Sequence, residues 1–111
     1  STGNQADINF GNYSLIRLTN ASSLTIQGIQ NGRDGYLLTL INSSGNTVTI
    51  ANESGSESTA SRRITTGVGA DITIPDKSAQ TLVYDNGSTP RWRVVGDYAG
   101  NGAAGGGGDK R

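Results

Sequence analysis

Leu24-Thr25-Ile26, Thr47-Val48-Thr49-Ile50, Asp71-Ile72-Thr73-Ile74 and Thr81-Leu82-Val83-Tyr84 share one pattern: apolar residues alternate with Thr or another polar neighbour, and a Gly- or Asn-containing turn follows. A period of two sends successive side chains to opposite faces of a sheet. The chain therefore reads as short strands joined by tight turns. Working outward, Ile8 and Phe10 begin the pattern, Leu15-Ile16-Arg17-Leu18-Thr19 is a strand, and Ile64-Thr65-Thr66 is a short one. Asn31-Gly32 and Asp34-Gly35 are turn dipeptides, since Gly accepts positive φ and Asn or Asp tolerates it. Tyr36 to Ile41 is the one strand apolar on both faces, which places it centrally with cover on each side. Leu82–Tyr84 and Arg91–Val95 form a hairpin, with Trp92 and Val94 on one face and Arg91, Arg93 and Val95 on the other. No window carries helical apolar spacing free of Gly and β-branched residues, so no long helix is expected.

These strands make an all-β fold: a small antiparallel β-sandwich (jelly-roll-like), or a β-prism, of about eight or nine short strands. The 111 residues suit one domain. Residues 1–6 read as a polar N-terminal arm, 7–98 as the all-β domain, and 99–111 as a Gly-rich tail, either flexible or holding a neighbouring subunit. Leu, Ile, Val and Phe number only 22 of 111, so the core is thin, and the formal net charge of zero removes repulsion between copies. Both features favour an oligomer.

Composition narrows function. There is no His and no Cys, which removes imidazole and thiolate metal ligands, disulfides and the usual nucleophile–base pairs. The two glutamates, Glu53 and Glu57, share one Ser-rich loop, 51–62, which reads as solvated rather than as a carboxylate pair held across a cleft. The turn aspartates fit no calcium-loop spacing, and Gly67-Val68-Gly69 lacks the third Gly and the following helix of a dinucleotide fingerprint. No catalytic residue, metal or cofactor is expected. Nine basic residues balance nine acidic ones without a basic run beyond Arg62-Arg63, which argues against nucleic acid as a partner. No apolar stretch approaches the ~20 residues of a membrane helix.

Contact residues remain. Seven of the nine basic residues are Arg, whose planar, multi-donor head suits interfaces, and Arg62, Arg63, Arg91 and Arg93 are the interface candidates. Tyr84 and Trp92 fall on inward strand positions. Tyr13 and Tyr98 fall in turns or at the domain edge and are the candidates for an exposed contact.

In order and spacing, several stretches together resemble a module of bacteriophage tail-fibre and other virion appendage proteins. They are Leu24 to Ile29, Asp34 to Asn42, Asn46 to Ser54, Arg63 to Ile74, Leu82-Val83-Tyr84-Asp85 and Arg91-Trp92-Arg93-Val94-Val95-Gly96. The resemblance spans about Asp7 to Gly96, and its most specific piece is the run Arg91-Trp92-Arg93-Val94. It implies a β-rich, non-enzymatic module, homotrimeric, at the virion surface after synthesis in the host cytoplasm, with itself, other virion proteins and a host-surface glycan as partners. A small unit with a Gly-rich tail also suits capsid decoration, and exposed tyrosines suit a carbohydrate-binding adhesin.

Overall fold

A computed structural model describes residues 2–98 and 100. Nine strands are assigned: β1 (Gly3–Gln5), β2 (Leu15–Leu18), β3 (Leu24–Ile26), β4 (Leu37–Asn42), β5 (Val48–Ile50), β6 (Ile64–Thr65), β7 (Ile72–Ile74), β8 (Ala79–Asp85) and β9 (Arg91–Val94). A single 3₁₀ turn, Ala60–Arg62, precedes β6, and no α-helix occurs among the described residues. The all-β expectation holds. The Gly-rich tail lies outside the described residues apart from Gly100.

The strands form a four-stranded sheet, β1-β3-β5-β7, and a five-stranded sheet, β2-β4-β8-β9-β6. From β1 to β8 the chain passes to the other sheet at each successive strand, so it winds in coils. In this winding, β1, β3 and β5 pair in parallel, as do β2 with β4 and β6 with β9. Only β4–β8, β5–β7 and β8–β9 are antiparallel. The expected antiparallel sandwich is thus corrected: the sheets are mixed, and their stacking is solenoid-like. Strand alternation specifies which side chains face inward but not strand direction, and direction is where the expectation failed.

The winding has a signature. Leu24 pairs with Val48 and Ile26 with Ile50, and Val48 pairs in turn with Ile74 and Ile50 with Ile72. The three apolar-Thr-Ile triplets therefore lie side by side, and Thr25, Thr49 and Thr73 fall in one row across the sheet. Gly3–Gln5, read as part of a polar arm, extends that row as an edge strand with Asn4 beside Thr25.

The core fills the space between the sheets. Leu24, Ile26, Val48, Ile50, Ile72 and Ile74 come from one side, and Leu38, Leu40, Leu82, Tyr84 and Trp92 from the other, all buried. Trp92 is fully enclosed: Tyr84 meets it edge-on with ring centroids 5.2 Å apart, Tyr36 is tilted against it at 5.6 Å, and its indole N–H donates to the Ile29 carbonyl at 3.0 Å. A buried indole needs such an acceptor, and here the bond ties the five-stranded sheet to the connection between β3 and β4.

The 51–62 loop departs from its solvated reading. Glu57 is buried, and its carboxylate accepts the backbone N–H of Asp7 at 2.6 Å and that of Thr59 at 3.1 Å. A Cβ at Gly28 would overlap this carboxylate, so the absence of a side chain at Gly28 is what lets Glu57 enter. The physical reason is satisfaction: the Asp7 and Thr59 N–H groups converge on one spot and need acceptors there, and a carboxylate supplies two.

Candidate functional site

Strand alternation gives each sheet an outward face. On the five-stranded sheet the ladders align Leu15 with Thr39 and Arg17 with Ile41 between β2 and β4, Leu37 with Val83 and Thr39 with Thr81 between β4 and β8, and Val83 with Arg93 and Asp85 with Arg91 between β8 and β9. Val95 follows β9 and donates its backbone N–H to the Thr81 carbonyl, continuing the rows. Leu37 is 52% exposed, Val95 42% and Leu15 40%, while Ile41 and Val83 are half-buried among them. The Thr39 and Thr81 hydroxyls lie 2.9 Å apart and bond to each other rather than standing free. The strand expected to be covered on both sides is therefore covered on one: the inward side chains of β4 are enclosed, while among its outward ones Leu37 is exposed and Thr39 and Ile41 are half-buried.

The charged groups bordering this face are largely neutralised in place. The Arg91 Nε donates to both carboxylate oxygens of Glu53, at 3.0 and 2.9 Å, and the Thr65 hydroxyl donates to the same carboxylate. Partial burial of Glu53 opposes its ionisation, but the bonds from Thr65 and Arg91 and the charges of Arg91 and Arg63 outweigh it and hold the carboxyl below its ordinary range. Arg93 donates to Asp85 at 2.8 Å; that bond, then one from the Gly87 N–H, lowers the Asp85 pKa.

Of the sequence-selected arginines, Arg91 and Arg93 thus stand on this outward face. Arg62 and Arg63 lie elsewhere: Arg62 pairs with Asp7, and the Arg63 Nε donates to the Glu57 carbonyl at 3.0 Å. The two tyrosines also separate. Tyr98 is half-buried against the core, whereas Tyr13, immediately ahead of β2, is 70% exposed. The loop carrying Tyr13 is braced. Asn9 Oδ1 accepts from the Gly11 N–H and from Asn31 Nδ2, Arg33 donates to Asn12 at 3.2 Å and lies 4.1 Å over the Tyr36 ring, and the Tyr36 hydroxyl donates to the Tyr13 carbonyl.

Sequence reasoning missed the outward residues of β2, β4 and β8 as a surface. The signal was the double-sided apolar run Tyr36–Ile41, read there as a buried centre. At the β1–β2 end, Ile8, Phe10, Ile16, Leu18, Asn20 and Leu24 line a cavity of about 200 Å³, and the enclosed Asn20 Oδ1 has no hydrogen-bond partner among the described residues. Among the described residues no three His, Cys, Asp or Glu side chains gather as a metal site, and no helix is long and apolar enough to cross a membrane. No protein family matches the chain, and no curated protein or solved structure does.

Proposed function

We propose that this protein is a non-enzymatic structural module of a bacteriophage virion, a homotrimeric β-unit of a tail fibre or surface appendage that serves assembly or host attachment. The observation that carries the assembly half is β4: Leu38 and Leu40 on one side are buried, whereas on the other Leu37 is exposed and Ile41 only half-buried among the described residues. A strand of that composition normally has both faces covered, and the missing cover is a neighbouring copy. Three such sheet faces closing on one axis would form a β-prism. The thin core and zero net charge favour the same outcome. The virion half rests on the sequence resemblance through Arg91-Trp92-Arg93-Val94. The non-enzymatic reading is supported by the lack of His and Cys and by the commitment of Glu57 to backbone donors.

Sedimentation equilibrium on the full chain tests assembly: a trimer mass is expected, and a monomer persisting to high micromolar concentration would sink it. Electron microscopy of the protein mixed with its parent particle tests location, with density on an appendage expected and density on the capsid lattice favouring decoration.

A second reading has its own observation. An exposed aromatic ring on a braced loop, with Asn12 and Arg33 beside it, is suited to stacking on a sugar ring with polar flanking contacts. As an adhesin, the protein would lose glycan-array binding in Tyr13→Ala; a silent array for the unaltered protein removes this reading.

A further inference from the structure

The charges around the outward face of the five-stranded sheet are not all spent. Arg91 and Arg93 are paired within the chain, but two exposed groups, Arg17 on β2 and Asp97 two residues past Val95, have no ion-pair partner among the described residues. They sit at opposite edges. Arg17 projects from β2, the edge strand, in the row of Ile41. Asp97 lies on the bend that leaves β9 after Val95, ahead of Tyr98 against the core and Gly100 against Thr73 of β7. β6 pairs only with Trp92 and Arg93, so at the level of Val95 β9 is itself the edge. Because β2 runs with β4, β4 against β8 and β8 against β9, β2 and β9 point the same way, and Arg17 and Asp97 lie toward the same end of the sheet.

We propose that copies of this chain join through this face around a rotation axis running along the strands, with Arg17 of one copy paired to Asp97 of the next. About such an axis the β2 edge of each copy meets the β9 edge of its neighbour, in a pair as in a ring of three. An axis across the strands sets β2 edge against β2 edge and leaves both charges unpaired. The occupant is a second copy because one chain carries both the apolar strip and the complementary charges at its two borders. The size of the face sets the strength. Its strands hold 4, 6, 7, 4 and 2 residues, which at ~4.8 Å spacing and ~3.3 Å rise make roughly 360 Å², the size of the largest patches on small proteins. Two copies bury about 700 Å² through it, in the range of weak interfaces, so weak association is expected.

The inference rests on the assembly reading, and one experiment separates the two. Sedimentation equilibrium is run on the full chain, on Arg17→Asp, Asp97→Arg and their combination, and on Leu37→Lys, with circular dichroism melting to show that each is folded. Each single charge reversal is expected to raise the dissociation constant about tenfold, since like charges then face each other across the rim. The combined reversal is expected to return it to within about threefold of the unaltered protein, and Leu37→Lys to weaken association by more than either. Single reversals without effect, or a combined reversal no better than its parts, overturn the pairing. If the unaltered chain assembles and Leu37→Lys leaves that assembly intact, copies meet elsewhere and this proposal falls while the assembly reading stands. A monomer under all conditions ends both.

Discussion

The two sheets present the same inside and different outsides. Inward, both offer Leu, Ile and Val to one core. Outward, the four-stranded sheet shows the row Asn4, Thr25, Thr49, Thr73, whereas the five-stranded sheet shows Leu15, Leu37, Ile41, Val83 and Val95 with Thr39 and Thr81 among them. Threonine keeps the β-branched shape that suits a pleated strand and gives water a hydroxyl to bind. Leucine and valine in the same positions make as good a strand but leave apolar area in water, at about 25 cal/mol per Å². One face is thus complete against solvent as it stands. The other gains free energy when it is covered.

The largest expected effect tests what the faces share. Trp92 lies under the five-stranded sheet yet bonds to Ile29 on the connection from the four-stranded one. Trp92→Ala is expected to cost about 3–5 kcal/mol, measured by urea denaturation, and to loosen both sheets together in amide exchange. Protection lost from only one sheet would show that the core is two independent units.

Next is Glu57. Replacing it with Gln removes one acceptor and turns an amide NH₂ toward a backbone N–H at Asp7 or Thr59. A loss of roughly 1–3 kcal/mol is expected, and Gly28→Ala should cost a similar amount by overpacking the same spot. Because these residues lie away from the outward face, oligomer mass at fixed temperature should not change. A changed mass with retained fold would mean that the face depends on this corner.

Glu57 also marks the limit of what the sequence discloses. The strands at Leu24–Ile26, Val48–Ile50, Ile72–Ile74 and the β8–β9 hairpin are legible because alternation and turn residues are local properties. The inward places of Tyr84 and Trp92 follow from the same parity. Burial of a glutamate within the 51–62 loop is not legible, since it depends on Asp7 and Gly28 arriving from elsewhere. Strand direction left no such trace: the triplets at Leu24, Val48 and Ile72 recur at a constant interval of 24 residues, yet the first interval joins a parallel pair and the second an antiparallel one. Of the candidate surface, the residue types were legible in Tyr36–Ile41, but whether its second side is filled by the same chain is a property of the fold.

A smaller effect comes from exchanging the two outsides. Thr49→Val on the four-stranded sheet and Val83→Thr on the five-stranded one alter half-exposed positions of like shape, so each should move stability by less than about 1 kcal/mol. Their effects on association should differ. Val83→Thr is expected to weaken it severalfold, and Thr49→Val to leave it unchanged; equal responses would erase the distinction between the faces.

The smallest expected effect concerns acid. The carboxylates with lowered pKa that are bound by arginine, Glu53 and Asp85, both border the five-stranded face. A group whose folded pKa lies below its unfolded one stabilises the fold fully above the unfolded value, near pH 4, and loses that contribution as the pH falls through the folded value. Both side chains are substantially exposed, so salt and water screen each pair and the loss is slight. Melting temperature should therefore decline gently from pH 5 to pH 2.5, and Arg91→Met should flatten the part of that decline due to Glu53. The row of Asn4 and threonines has no titrating group and contributes nothing to the slope. If Arg91→Met left the profile unchanged while the charge reversals at Arg17 and Asp97 still altered association, the border arginines would be keeping their charges out of the interface rather than holding the strands.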